Sequence, residues 1–373
     1  MADLSSLYKK TGGFMKGICH PSSDREGLLE AGLTWVRRDI PFPFDAEGNE
    51  TPGFASYRKG CEYYAEKGIY TIGITPYPRD FIASGIDVRT AEGLEKAAEV
   101  CEKMARALKS SVKCWQITNE LYVEHFRAPI TASESVEFII ACSNGIRKGD
   151  PDGCIGHNSC NNEWREKYCR YIEERIGGSD YVGIDCYAGT WGAGGIETYD
   201  EEINLFYEQF GLPVVLMEFG FSSAGRCVPD DKPEIQKFFE EHGFADRADA
   251  EARLDEFVKV LPEGLQRNVE RCADEDKARY ALGCFTHVLK YWRHDAGIGH
   301  TEEGQAEFYS RLLPKLLAHP HLAGAILYCW QDSVGCFTCG QDDCPCETAW
   351  GICRLDESRK PAYYAVKEAF AAL

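Results

Sequence analysis

Residues 69–120 read IYTIGITPYPRDFIASGIDVRTAEGLEKAAEVCEKMARALKSSVKCWQITNE. An apolar, β-branched run comes first, IYTIGIT (69–75). A helical stretch follows, GLEKAAEVCEKMARALK (93–109), and then a second apolar run, VKCWQIT (112–118). Strand, helix and strand in that order form a parallel β-α-β unit.

The same alternation extends in both directions. FMKGIC (14–19) and LTWVRR (33–38) precede the unit. CIGHN (154–158), YVGIDCY (181–187), PVVLME (213–218) and AGAILYCW (323–330) follow it, with helical stretches between them such as ESVEFIIACSNGIRKG (134–149). Eight such runs close naturally into a barrel, so the expected fold class is α/β, a (β/α)8 TIM barrel. A doubly wound open sheet is the alternative. It would carry a glycine-rich phosphate turn after the first strand, where this chain reads CHPSSD (19–24).

Polar and aromatic residues follow the apolar runs, for example RRDIPF, TPYPRDF, TNELY, YAGTW, EFGFSS and WQDS. In a barrel these positions collect on the C-terminal rim, where active sites are built. About 80 residues separate the seventh strand from the helical stretch TEEGQAEFYSRLLPKLLA (301–318). Residues 222–300 are read as a helical insertion after strand 7, a wall or lid on the rim. The competing reading makes 276–294 the seventh barrel helix. The expected organisation is a single catalytic domain over 14–373. The opening MADLSSLYKKTGG (1–13) lacks an apolar signal-peptide core, resembles a vector-derived leader, and is set aside from the fold argument.

The chain has 373 residues with formal net charge −19, 44% apolar and 27% charged residues. Excess acid argues against a nucleic-acid or anionic-membrane partner, since phosphate is bound by Lys and Arg. The longest apolar runs fall short of the roughly 18 residues that span a bilayer. A cytoplasmic location is expected. Eighteen cysteines are present. Those in strand runs, such as Cys114, Cys186 and Cys329, read as small buried hydrophobes in a reducing compartment.

Glycosidic cleavage needs two carboxyl groups flanking one bond, one to protonate the leaving oxygen and one to attack the anomeric carbon or activate water. Glu120 follows the fourth apolar run, as WQITNE, and Glu218 ends the seventh, as VVLMEFG. These two stretches resemble the catalytic signatures of the clan A (4/7 superfamily) retaining glycoside hydrolases. The resemblance spans roughly residues 14–372, with 222–300 unmatched. It implies Glu120 as acid/base and Glu218 as nucleophile, with Asn119 contacting the substrate 2-hydroxyl.

LTWVRRDI resembles the clan's second strand, which carries an inward Arg near the nucleophile. Strand parity with Trp35 and Asp39 favours Arg37 over Arg38. YVGIDCYAGTW resembles the sixth strand and maps its terminal tyrosine to Tyr187, with Trp191 bordering the sugar. LYCWQD resembles the eighth and implies Trp330 as the floor of the −1 subsite. His157 and Asn158, ending strand five, and His20, from strand one, are further substrate-contact candidates. TAWGICRLDESRKPAYYAV (348–366) resembles the clan's common ending. YVGIDCY and EFGFSS are similar to mannan- and glucan-cleaving members, so the implied substrates are β-glucan or β-mannan oligosaccharides or polysaccharides.

Retention implies that the two carboxyl groups lie about 5–5.5 Å apart. It also implies a protonated Glu120 beside an ionised Glu218, the same residue type in two environments. No cofactor is expected for catalysis. A carbohydrate-binding barrel without activity, or a zinc hydrolase of another class, are the competing functions. Both glutamates are in place against the first, and no HxH or comparable ligand pair supports the second. CFTCGQDDCPC (336–346) resembles a short metal knuckle, in which Cys336, Cys339, Cys344 and Cys346 would hold a structural zinc. Free thiols and disulfides are the other states open to it.

Overall fold

The structure is a computed structural model describing residues 4–160 and 179–372. Eight parallel strands form the centre: β1 Met15–Cys19, β2 Trp35–Asp39, β3 Tyr70–Ile74, β4 Val112–Gln116, β5 in two pieces, Cys154–Gly156 and Asn158–Ser159, β6 Val182–Cys186, β7 Val214–Phe219 and β8 Leu322–Leu327. Hydrogen bonding runs from Cys154–Gly156 through β4, β3, β2, β1, β8, β7 and β6 to Asn158–Ser159. The two outermost pieces are separated only by His157, so the sheet closes on itself. Ile117 N–H donates to Gly156 O at 2.9 Å on one side of the break, and Gly183 N–H to His157 O at 2.8 Å on the other. The chain folds as a (β/α)8 barrel.

Strand alternation divides the core. Met15, Trp35, Ile72, Val215, Met217 and Ile326 pack with one another inside the barrel. Ile18, Val36, Ile184 and Leu216 face the outer helices through Tyr199, Phe206, Phe308 and Leu312. One register shift matters for the site. Ile184 pairs with Leu216, but the next residue, Asp185, pairs with Glu218. The extra residue in β7 is a β-bulge, a device that re-aims a side chain.

Helix starts are set locally. Thr51, Thr90, Thr131 and Thr301 each accept a backbone N–H of their helix's first turn, an N-cap that satisfies a donor otherwise left orphaned. The helices Ala91–Leu108 and Ala132–Gly149 touch closely. A Cβ on Gly145 would lie 2.1 Å from Ala98 O, and one on Gly149 2.3 Å from Glu102 O. Only glycine allows that approach.

Between β7 and β8 come six short helices within Lys232–Leu289, then the helix Glu302–Leu317. The latter packs between the helices Ile196–Phe210 and Pro361–Ala371, so it holds the seventh place in the outer ring. The short helices contribute Phe238, Phe257, Leu265 and Phe285 to a cluster that includes Cys336, Cys339, Cys344 and Cys346. The helix Leu4–Thr11 belongs to the packed fold, although the sequence argument sets residues 1–13 aside. Leu7 is buried, and Lys10 Nζ donates to Gly153 O at 3.1 Å and Asp180 Oδ1 at 2.7 Å. Those partners precede β5 and β6, so this helix covers the N-terminal end of the barrel. No helix among the described residues is long and apolar enough to cross a membrane.

Candidate active site

The chain leaves β4 through an unusual turn. Thr118 and Glu120 have φ of 59° and 47°, left-handed values that cost a non-glycine residue energy and collect at functional sites. The turn is held from both sides. Thr118 N–H donates to Thr75 Oγ1 at 2.9 Å, and Gln116 Nε2 donates to Thr118 O at 2.7 Å. This backbone sends Asn119 inward and Glu120 into a cavity of about 1250 Å³ on the C-terminal rim. Glu218 lines the same cavity, with Asp185, Tyr187, Tyr328 and Glu347.

Arg37 is the hub beneath it. Its Nη1 donates to Glu218 Oε1 at 2.6 Å, its Nη2 to Asn119 Oδ1 at 2.6 Å, and its Nε to Gln116 Oε1 at 2.7 Å. Arg38 points the other way, toward Cys61 Sγ and the Tyr57 ring. The second oxygen of Glu218 accepts the Tyr187 hydroxyl at 2.6 Å. Glu218 is therefore an almost fully buried carboxylate, 6% exposed, with a donor on each oxygen, one of them a guanidinium.

Asn119 Oδ1 also accepts Asn158 Nδ2 at 2.7 Å and Gln116 Nε2 at 3.2 Å. Three donors on one oxygen fix the amide orientation. They leave Asn119 Nδ2 as the group free to donate elsewhere. Asn158 Nδ2 additionally donates to Asp185 Oδ2 at 2.6 Å, and Asn158 Oδ1 accepts the Glu120 backbone N–H at 3.2 Å.

Glu120 sits in a different electrostatic setting. Burial, then the Glu218 charge, push its pKa up to about 8. Asp185 is also held well above the carboxylate range, first by burial and then by the Glu218 and Glu120 charges. The Tyr122 hydroxyl lies 2.5 Å from Glu120 Oε1 and 3.0 Å from Asp185 Oδ2. A hydroxyl carries one proton, so it donates to one carboxyl group and accepts from the other only if that one is protonated. Geometry and burial thus agree that the Glu120–Tyr122–Asp185 chain holds an additional proton at neutral pH.

Trp191, 37% exposed, borders the cavity and packs its ring 5.1 Å from that of His287. His20 lines the cavity beside the Tyr328 ring. His157 does not line it. It is buried in the break of β5, where burial pushes its pKa down to about 4 and keeps it neutral. Trp330 is also elsewhere, which corrects its assignment to the floor of the site. It is 1% exposed, edge-on to Tyr363 and beneath the Arg359 guanidinium. β8 ends at Leu327, and the chain then runs under the Trp350–Ile352 segment, so strand parity no longer carries to residue 330. Tyr328 takes the wall position. Asp185, Tyr122, Gln116 and Glu347 are site residues that sequence reasoning passes over. Asp185 offered one signal, an acid inside the apolar run YVGIDCY.

The cysteine loop also differs from its expected form. Cys336, Cys339 and Cys344 gather with His287, their ligand atoms all within 4.8 Å of one another. Cys346 stands outside that group and donates instead to Thr286 O at 3.4 Å. Every cysteine in the described residues is a free thiol.

No protein-family model matches the chain, and no curated protein sequence matches it. Solved structures do match. A family 39 glycoside hydrolase from the gut symbiont Bacteroides cellulosilyticus aligns over 96% of this chain, with TM-score 0.59 and 15% identity. A fungal β-1,4-galactanase aligns over 98% of both chains, with TM-score 0.56 and 10% identity. A Bifidobacterium dentium β-glucuronidase aligns over 97% of this chain, with TM-score 0.52 and 13% identity. The common element is the barrel. This chain spans 63% of the length of the family 39 enzyme and 47% of the β-glucuronidase.

Proposed function

We propose that the chain is a retaining glycoside hydrolase acting on β-linked oligosaccharides, with Glu218 as nucleophile and Glu120 as acid/base. The observation that carries this reading is the contrast between two glutamates on one cavity. Glu218 is held by Arg37 on one oxygen and by the Tyr187 hydroxyl on the other. Glu120 is raised to about 8 and holds a proton. That division is what double displacement requires.

Ionised Glu218 attacks the anomeric carbon, and its bond to sugar forms as the glycosidic C–O bond breaks. Glu120 gives its proton to the departing oxygen. The same residue, now a carboxylate, takes a proton from the water that hydrolyses the glycosyl-enzyme. Glu120 and Glu218 line the same cavity, and in the retaining mechanism proposed here their carboxyl groups flank one bond about 5–5.5 Å apart. Asn119 Nδ2 is oriented to donate to the 2-hydroxyl. Trp191 and Tyr328 offer ring faces suited to the C–H faces of a pyranose. The resemblance of β6 and β7 to glucan- and mannan-cleaving members, and a galactanase among the structural neighbours, favour a β-linked hexose polymer or its fragments.

The test is a screen of aryl β-glycosides and β-1,4-linked glucan, mannan and galactan, followed by a 2-deoxy-2-fluoro glycoside of the best substrate. Peptide mass analysis is expected to find the fluoro-sugar on Glu218. Binding of sugar without turnover would indicate the inactive barrel. A label on another residue would overturn the assignment of the nucleophile.

A further inference from the structure

We infer that His287, Cys336, Cys339 and Cys344 form a Cys3His site for a structural zinc ion, which fastens the loop after β8 to the helices after β7. The four donors come from two segments about fifty residues apart, and all four are buried.

The distances fit a single ion. Bonds of about 2.3 Å to sulfur and 2.0–2.1 Å to nitrogen, at tetrahedral angles, place sulfur and nitrogen about 3.5 Å apart. His287 Nδ1 lies 3.5 Å from Cys336 Sγ and 3.6 Å from Cys344 Sγ. The third sulfur, Cys339 Sγ, lies within 4.8 Å of each of the other three donors.

The backbone is arranged for a thiolate. Cys339 N–H donates to Cys336 Sγ at 3.3 Å, and Gly340 N–H donates to Cys336 O at 2.7 Å. Gly340 has φ +82°, so the turn after the Cys-x-x-Cys pair uses a conformation that glycine adopts without strain. A backbone N–H on a ligand sulfur is the kind of outer contact that orients and stabilises metal thiolates. On binding, three thiols release their protons and the imidazole coordinates in its neutral form. Four protein ligands leave no open position, so the ion is structural.

The site also explains how the cavity wall is held. Phe337 and Thr338, between two of the ligands, line the cavity, and Trp191 packs on the His287 ring. A second tie joins the same segments, Lys290 Nζ to Asp343 Oδ1 at 2.5 Å.

Metal analysis of the purified, reduced chain tests this independently of any hydrolase activity. The expected content is about one zinc per chain. Cys336→Ser and His287→Ala are expected to lose it, and Cys346→Ser to keep it. Should the loss variants fail to fold, the wild-type chain loaded with cobalt is expected to show the visible bands of tetrahedral thiolate coordination. His287→Cys would keep the ion and shift those bands. Reduced chain that takes up no zinc in competition with a chromophoric chelator overturns the inference. So does loss of metal in Cys346→Ser equal to that in Cys336→Ser, or a mass deficit showing disulfides among these cysteines.

Discussion

Arg37 and Glu218, 181 residues apart in the chain, meet inside the barrel with Nη1 2.6 Å from Oε1. Both side chains are nearly inaccessible to solvent. Removing the cation would leave a buried carboxylate uncompensated, which costs roughly 3–5 kcal/mol. Arg37→Met is therefore expected to lower the denaturation midpoint and to lower kcat roughly a hundredfold or more, since Glu218, the proposed nucleophile, would lose the guanidinium that holds its Oε1 in place. Arg37→Lys keeps the charge but loses the fork to Asn119 and Gln116, and should fall between. Unchanged kcat in Arg37→Met would remove Arg37 from the mechanism.

The Glu120 pKa of about 8 makes a directional claim about pH. In the proposed mechanism protonated Glu120 is the acid, so kcat/KM should fall as pH rises through about 8. The Tyr122 hydroxyl lowers the Glu120 pKa by donating to its carboxylate, so Tyr122→Phe should move that alkaline limb upward. Stability has the same sign. Folded Glu120 keeps its proton to about pH 8, whereas its ordinary value is 4.5. The folded chain binds more protons between those values, so stability falls as pH rises across that window. Glu120→Gln should flatten that part of the curve. pH–rate profiles and denaturation at several pH values read both effects, and an alkaline limb near 4.5 would contradict the first.

The eight strands are legible in the sequence because buried parallel strands are continuous apolar runs, and the barrel hides both of their faces. Arg37, Glu120, Glu218 and Tyr187 are legible because they sit at or just beyond strand ends, where polar residues interrupt such runs. What stays hidden is set by tertiary geometry. Simple alternation through Val215 and Met217 would turn Glu218 outward, and only the bulge opposite Ile184 and Asp185 brings it to the cavity. Trp330 lies past the last strand pairing, so periodicity says nothing of its direction. His287 joins the cysteines through a fold contact across 49 residues, a distance at which spacing rules are silent. Asp185 and Tyr122 read as core residues until their hydrogen bond at the cavity is seen.

Asn119 offers a test specific to the sugar. Three donors on Oδ1 leave Nδ2 for the substrate 2-hydroxyl, a contact that strengthens in the transition state. Asn119→Ala is expected to lower kcat/KM roughly 10–100-fold on an aryl β-glycoside, since hydrogen bonds to the 2-hydroxyl strengthen in the transition state. The 2-deoxy analogue lacks the acceptor, so it should lose far less. Equal losses on both substrates would mean that Asn119 acts only by positioning Arg37 and Glu120.

The last prediction concerns how the helices after β7 support the catalytic turn. Arg127 and Asp276 form a buried two-pronged ion pair, Nε to Oδ2 at 2.9 Å and Nη2 to Oδ1 at 2.6 Å. Arg127 Nη1 also donates to Tyr122 O at 2.9 Å, two residues from Glu120. The pair thus joins the helix Asp274–Gly283 to the segment that aims Glu120, the proposed acid/base. Asp276→Ala leaves a guanidinium buried without its carboxylate and should cost roughly 3–5 kcal/mol, measured by denaturant unfolding. Asp276→Asn keeps an acceptor and should cost less. If the tie positions Glu120, the surviving folded Asp276→Asn enzyme should lose kcat while KM changes little, because the proposed sugar contacts through Asn119 and Trp191 are untouched. A change confined to stability would show that the helices brace the barrel without setting the geometry of the acid.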